Sequence, residues 1–248
     1  MQFGETWAFV GKKERNCEAG EATAGDCWDH VALDPHGRLV VGLVVGKRTA
    51  AATHELVADF RTRTGGRIPW RMTSDEYPVY AEAIRAAHGQ VVERPRTGRP
   101  GRPPDPTVVM PAGLTYATVH KTRANGRMAS VSTTLAFGTW ATLLLALPVS
   151  AVSRVVNAAF VERHNGTDRG RCRRKGRKSS EFSKSWDVHV AATRFSYFTY
   201  NFCWCVRTLR VKGVDGRWRQ RTPAMAAGLT DHVWSMREWI TFPAVQRQ

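Results

Sequence analysis

Polar and apolar residues alternate at the start of the chain. Phe3, Glu5, Trp7 and Phe9 fall on one face and Gln2, Gly4, Thr6 and Ala8 on the other, so residues 2–10 are predicted as a strand. A polar connection follows over 12–25, and the strand pattern resumes over 27–33. Asp34-Pro35-His36-Gly37 puts Asp and Pro where a type I turn takes them, and the apolar run 39–45 gives a third strand, completing an antiparallel meander. Leu56, Val57 and Phe60 share one stripe of a predicted helix over 50–63, which Gly65-Gly66 ends. A fourth strand is expected over 67–73. Val79, Ala83, Ile84 and Ala87 then mark a second helix closing at His88-Gly89, before a fifth strand over 90–93.

Three strands, helix, strand, helix, strand is the order of a ribonuclease H-like α/β fold: a mixed sheet flanked by helices. The pattern breaks at Arg94, where Pro95, Gly98, Pro100, Gly101, Pro103, Pro104 and Pro106 read as a basic, extended linker opening an insertion. Short strands are expected within 108–135 and a helix over 139–147, stopped by Pro148. Helical character returns near Val155 and runs through a basic stretch, with a break at Gly176. A long aromatic helix is expected over 185–209, and one or two more within 222–239. The organisation expected is therefore a first part of the core over 1–93, a linker and insertion over 94–154 placed before the helix that carries Glu162, the completion of the core over 155–210, and a tail over 211–248.

The chain has 248 residues, 42% of them apolar, enough to bury a core without staples. Its five cysteines include no CxxC pair, which argues against a zinc ribbon or a closed disulfide framework and fits a reducing, cytoplasmic setting. The longest apolar run, 140–147, is too short to span a bilayer, and residues 1–10 lack the features of a secretion signal. A net charge of +16 changes the picture more, because it favours polyanionic partners. The charge is clustered: residues 163–184 hold nine Lys or Arg against Asp168 and Glu181. A second basic segment covers 94–127, which leaves RNA binding open as a further reading.

Two acids stand out. Asp75 follows a strand and precedes a helix, so it is either an N-cap, with Ser74 competing, or a metal ligand at the strand's carboxyl end. Glu162 opens a helix whose following residues are mostly basic. It either complements the helix dipole or ligates a metal among cations that grip phosphates. The aromatics Trp186, Phe195, Tyr197, Phe198, Tyr200, Phe202 and Trp204 read as core rather than as a base-stacking platform. His164 and His189 have no metal-ligand companions at a suitable spacing.

Several motifs occur in order: Glu5-Thr6-Trp7-Ala8-Phe9-Val10-Gly11-Lys12-Lys13, Met72-Thr73-Ser74-Asp75 with Pro78-Val79-Tyr80, and Val161-Glu162-Arg163-His164-Asn165. Gly176-Arg177-Lys178, Phe182-Ser183-Lys184, Tyr200-Asn201-Phe202, Thr208-Leu209-Arg210 and the run from Thr222-Pro223-Ala224 to Gly228 follow. Together they resemble a DDE transposase of the IS-one insertion-sequence type. The resemblance implies a ribonuclease H-like core in which three carboxylates hold two Mg²⁺ or Mn²⁺ ions about 4 Å apart for strand cleavage and strand transfer. Asp75 matches the second acid and Glu162 the third, as catalytic and metal-binding residues. The first position is Gly4, which supplies no carboxylate. Glu5 is expected to face the other way, and Asp29 or Asp34 to lie nearby in the meander. The same resemblance implies double-stranded DNA, as element ends and target, bound by Lys12, Lys13, Arg163, Arg171, Arg173, Arg174, Lys175, Arg177, Lys178 and Lys184. Beside the family motifs, the chain reads as a copy shortened at its N-terminus; no membrane is expected from its short apolar runs, and a homo-oligomer is left open. Two readings stay open: an active transposase, or a DNA-binding remnant without catalysis.

Overall fold

The computed structural model describes residues 1–94, 105–176 and 180–243. Its strands are β1 (Gln2–Val10), β2 (Gly25–Leu33), β3 (Val40–Gly46), β4 (Met72–Ser74), β5 (Gln90–Val92), β6 (Thr107–Val109), β7 (Tyr116–Ala124), β8 (Arg127–Phe137), β9 (Val211–Lys212) and β10 (Trp218–Arg219). Its α-helices are α1 (Ala50–Arg63), α2 (Val79–His88), α3 (Trp140–Ala146), α4 (Ala159–Arg171), α5 (Trp186–Cys203), α6 (Pro223–Ala226) and α7 (Met236–Thr241). The chain is mixed α/β and forms two compact units, one of Thr49–Ala158 with Met1 and the other of Gln2–Arg48 with Ala159–Gln248. All five cysteines are free, and among the described residues no helix is long and apolar enough to cross a membrane.

In the unit built on Thr49–Ala158, the Thr49 hydroxyl accepts the Ala52 N–H at 3.2 Å and caps α1. Leu56, Val57 and Phe60 are buried as their spacing predicts, and α1 packs on α2. The helix ends at Gly65 and Gly66, both with positive φ. β4 runs parallel to β7, and β7 antiparallel to β8, which makes the sheet of this unit mixed. Two expectations change here. The strand expected over 90–93 pairs with β6 in a separate two-stranded ribbon, because Val91, Val92, Val108 and Val109 are exposed and bring no buried face to a larger sheet. The parallel neighbour of β4 is β7 instead, which lies inside the segment read as an insertion. β7 and β8 form a long hairpin turned by Asn125 and Gly126, both at positive φ. Most of the linker expected from Pro95 to Pro104 lies outside the described residues.

The other unit carries the antiparallel meander β1-β2-β3, in register as Gly4↔Val31, Glu5↔His30 and Thr6↔Asp29. The turn before β3 is held by Asp34, whose two carboxylate oxygens accept the N–H groups of His36 at 3.1 Å and Gly37 at 2.7 Å. Helix α4 begins at Ala159, later than the pattern near Val155 suggested, and its buried stripe is Val161, His164, Asn165 and Asp168. Gln2 of β1 caps it from outside the helix: its Oε1 accepts both the Phe160 and Val161 N–H groups at 3.0 Å. Asn165 Nδ2 donates to the Glu5 carbonyl at 3.2 Å, a second tie between helix and strand. Asn201 of α5 plays a strand-like part toward β3, accepting from Val40 N at 3.0 Å and donating to Val40 O at 2.8 Å.

The polar centre of this unit is a buried ion cluster. Lys175, in a 3₁₀ turn after α4, places Nζ 2.7 Å from Asp29 Oδ2 and 2.7 Å from Asp168 Oδ2, with all three side chains essentially out of solvent. Ser196 Oγ donates to the other Asp168 oxygen at 2.9 Å, and the ammonium lies 4.6 Å above the Tyr197 ring. Burial works to lower the Lys175 pKa, but two carboxylates outweigh it and hold it above the ordinary value. With two acids against one base, burial pushes Asp29 up to about 6 despite the attraction of Lys175. Lys175→Met should therefore cost about 3–5 kcal/mol, since it leaves two carboxylates facing each other without a cation. Replacing Asp29, Asp168 and Lys175 together by Leu, Leu and Met should recover most of that loss. Urea denaturation of both variants measures this, and a Lys175→Met midpoint close to the native one would contradict it.

Candidate nucleic-acid interface

Strand alternation and helix phase decide which of the expected site residues reach solvent. Gly4 is buried on the face of β1 that meets α4. A Cβ built there would come within 2.9 Å of Val161 Cγ1 and 3.0 Å of Cγ2, closer than packed carbons tolerate. Glycine at this position lets strand and helix approach. Glu5 points to the opposite face, as expected, where Arg48 Nε sits 2.6 Å away and His30 Nδ1 3.8 Å away. The two acids expected nearby in the meander are also occupied: Asp29 holds Lys175, and Asp34 holds its own turn.

Glu162 lies in the first turn of α4 and is exposed. Asp75 is exposed just beyond β4. It does not cap α2, whose N-cap is Pro78; Asp75 Oδ1 instead accepts the Tyr77 N–H at 3.3 Å. Ser74 is no cap either, because its hydroxyl is bonded to Tyr116 Oη at 2.7 Å and to the Asp75 carbonyl. Beside Asp75, Glu76 pairs with His120. Within either unit, among the described residues, no three His, Cys, Asp or Glu side chains are grouped to hold a metal ion. Position 4 has neither a carboxylate nor room for one beside Val161, so the three-carboxylate, two-metal arrangement does not fit the residues present.

The expected cationic residues separate into distinct groups. Arg171, Arg173, Arg174 and Lys184 line one open concavity of the meander-bearing unit, together with Glu181, which pairs with Arg173 at 3.2 Å. Lys175 is a correction. It was expected on the DNA-binding face, but it is buried under Asp29 and Asp168. Lys12 pairs with Glu21 at 2.9 Å, and Lys13 is exposed. Arg177 and Lys178 lie outside the described residues. In the other unit, the basic segment ends in the β7–β8 hairpin, with Arg123 and Arg127 exposed near its tip.

A second concavity in the same unit as the first, of about 760 Å³, was not anticipated. Its lining includes Arg38, Arg163, Arg207 and Arg210, and none of its lining residues is Asp or Glu. Phe160, Tyr200, Trp204 and Trp218 interleave with these cations. Arg38 lies 4.0 Å over Phe160, Arg210 lies 4.4 Å over Trp218, and Arg171 lies 4.4 Å over Trp204. Trp204, expected in the core, is 48% exposed, and Trp218 is 56% exposed. The signal available in the sequence was Arg placed beside Trp, as in Arg217-Trp218-Arg219. Tyr197 and Tyr200 are buried, as the core reading of the aromatic helix required, but Phe195, also expected in the core, is exposed and meets Trp239 edge-on instead.

His164 sits at the wall of this concavity, with its ring 4.7 Å from Tyr200 and 5.1 Å from Tyr197. It is buried, and neither ring nitrogen has a hydrogen-bond partner among the described residues. Burial lowers its pKa to about 4, and likewise those of His30 and His189, so all three are neutral at pH 7. No family model matches this chain, and neither a curated protein nor a solved structure matches it.

The fit of Gly4 under Val161 can be tested directly. Gly4→Ala should destabilise the protein by about 1–3 kcal/mol through overpacking. Adding Val161→Ala should relieve part of that cost, giving a double-mutant cycle in which the pair is less damaging than the two single changes summed. Additive effects in thermal or chemical denaturation would remove the contact from the explanation.

Acid should act through the buried histidines. With pKa values held near 4 when folded and near 6.5 when unfolded, they contribute stability above pH 6.5 that is lost as pH falls toward 4. Asp29 works in the opposite sense: raised to about 6, it contributes most below about pH 4 and loses that contribution as pH rises through 6. Three histidines outweigh one aspartate, so a net loss on the order of several kcal/mol is expected between pH 7 and pH 4. Urea midpoints across that range test the sign. A midpoint that rose on acidification would contradict it.

Proposed function

We propose that this chain is a DNA-binding protein of transposase-like, ribonuclease H-like architecture that holds the DNA backbone without performing two-metal strand transfer. The observation that carries the reading is the open concavity lined by Arg171, Arg173, Arg174 and Lys184, where Glu181 is the lone acid among the lining residues. Clustered Lys and Arg on one surface neutralise phosphates and release condensed counterions, which supplies affinity without reading sequence. The order of an antiparallel meander followed by α1, β4 and α2 supports the ribonuclease H-like part. Against catalysis stands position 4: the motif that matches Asp75 and Glu162 to the second and third acids leaves glycine, closed over by Val161, at the first.

DNA affinity should fall steeply with salt. Converting Arg173, Arg174 and Lys184 to Gln should flatten the slope of log affinity against log salt by about 3, at roughly 0.9 for each phosphate no longer neutralised. An unchanged slope would remove this surface from the interface. With Mg²⁺ or Mn²⁺ the native chain should neither cleave nor join DNA. Metal-dependent strand transfer by the native chain would overturn the non-catalytic reading and restore Asp75 and Glu162 as metal ligands.

A further inference from the structure

We propose that the second concavity, the one walled by Arg38, His164, Trp204 and Trp218, is a separate site for an unpaired nucleotide of single-stranded DNA. The inference rests on the reading that DNA is the ligand, and it concerns a different concavity from the one assigned to the duplex backbone, the two meeting where Arg171 stacks on Trp204. In a duplex the bases are stacked and paired, so duplex DNA presents phosphates and groove edges to a protein, not base faces. A surface built for it needs cations and no recessed rings. Here cations and rings alternate, which is how proteins hold unpaired strands: arginines follow the phosphates and aromatic rings receive the bases. The volume of about 760 Å³ lies within the span of small-ligand pockets, and about half of each indole, Trp204 and Trp218, remains uncovered.

Two features are hard to explain as packing alone. Arg38 occupies the left-handed backbone region at φ 56°, where Gly or Asn would be less strained, yet its guanidinium, which also donates to the Pro35 carbonyl, is brought over Phe160 in this concavity. His164 is buried beside Tyr200 with two ring nitrogens that find no partner among the described residues, although buried polar groups are ordinarily paired.

The test compares fluorescence anisotropy of a labelled single-stranded DNA oligonucleotide with that of the blunt duplex of the same sequence. Trp218→Ala should weaken single-strand binding roughly tenfold, within the span that one base–aromatic stack supplies, and leave duplex binding within about twofold, since Trp218 stacks on Arg210 and not on a residue of the duplex surface. Arg38→Gly gives up the bond to the Pro35 carbonyl but relieves the backbone at φ 56°, so it should keep a denaturation midpoint near the native one while also weakening single-strand binding. This variant keeps the test valid should Trp218→Ala fold poorly. Arg173→Gln with Arg174→Gln and Lys184→Gln should do the reverse, lowering duplex affinity more. If Trp218→Ala and Arg38→Gly leave single-strand affinity unchanged, or weaken both forms equally, the nucleotide site is refuted while the duplex surface stands. Native protein that bound the single strand but not the duplex would refute the duplex surface and leave this site standing, and failure to bind either form refutes both. A matched RNA oligonucleotide binding about tenfold tighter than the DNA strand would overturn the assignment to DNA.

Discussion

One ammonium group shared by two buried carboxylates organises the meander-bearing unit. Lys175 reaches Asp29 on β2 and Asp168 on α4 at the same 2.7 Å, so strand, helix and the turn after the helix are tied through a single atom. Such a cluster is a poor source of net stability, because removing three charges from water costs about what their attraction returns. Its effect is on arrangement. A chain that turned Lys175 outward would leave Asp29 and Asp168 buried together, so the turn has one acceptable setting. With Lys175 inward, its neighbours Arg173 and Arg174 are exposed. The cationic surface of this unit is therefore a consequence of a core contact.

A comparable constraint governs β1 and α4. The Gln2 carboxamide satisfies two of the first N–H groups of the helix from the strand. That anchor fixes the height of the helix, and Asn165 fixes it again one turn on through the Glu5 carbonyl. Between these ties, Val161 lies over Gly4 at a separation that a side chain at position 4 would not permit. The stripe Val161, His164, Asn165 and Asp168 is thus committed to the strands, and Glu162 and Arg163 are exposed because they fall between its members.

Local chemistry made much of the fold legible. The alternation over 2–10, the Asp34-Pro35-His36-Gly37 turn and the Leu56, Val57, Phe60 stripe each depend on neighbours in sequence, and each element formed with bounds within a residue or two of the expectation. What was not legible depends on pairings distant in sequence. Val91 and Val92 have the composition of a core strand, but strand propensity does not say which partner a strand takes, and β7 lies parallel to β4 in their stead. Lys175 read as one more cation in a run of cations, since the acid that draws it inward from β2, Asp29, lies far away along the chain. Trp204 read as core because an aromatic-rich helix must pack somewhere. It falls immediately beyond the end of α5, where the buried phase of the helix no longer applies.

Strain and unpaired polarity are where local rules and the fold disagree, and in this unit the disagreements collect in one place. A left-handed arginine, an imidazole without partners among the described residues and two half-exposed indoles all border the same concavity. Folding alone would favour glycine at 38, an apolar ring at 164 and smaller side chains at 204 and 218. The cationic stretch after Glu162 has no such conflict; its exposed members are what any solvated turn tolerates. Charge therefore argues only that a polyanion is welcome, whereas the half-exposed indoles and the arginines stacked beside them argue where a part of that polyanion with an aromatic face would be held.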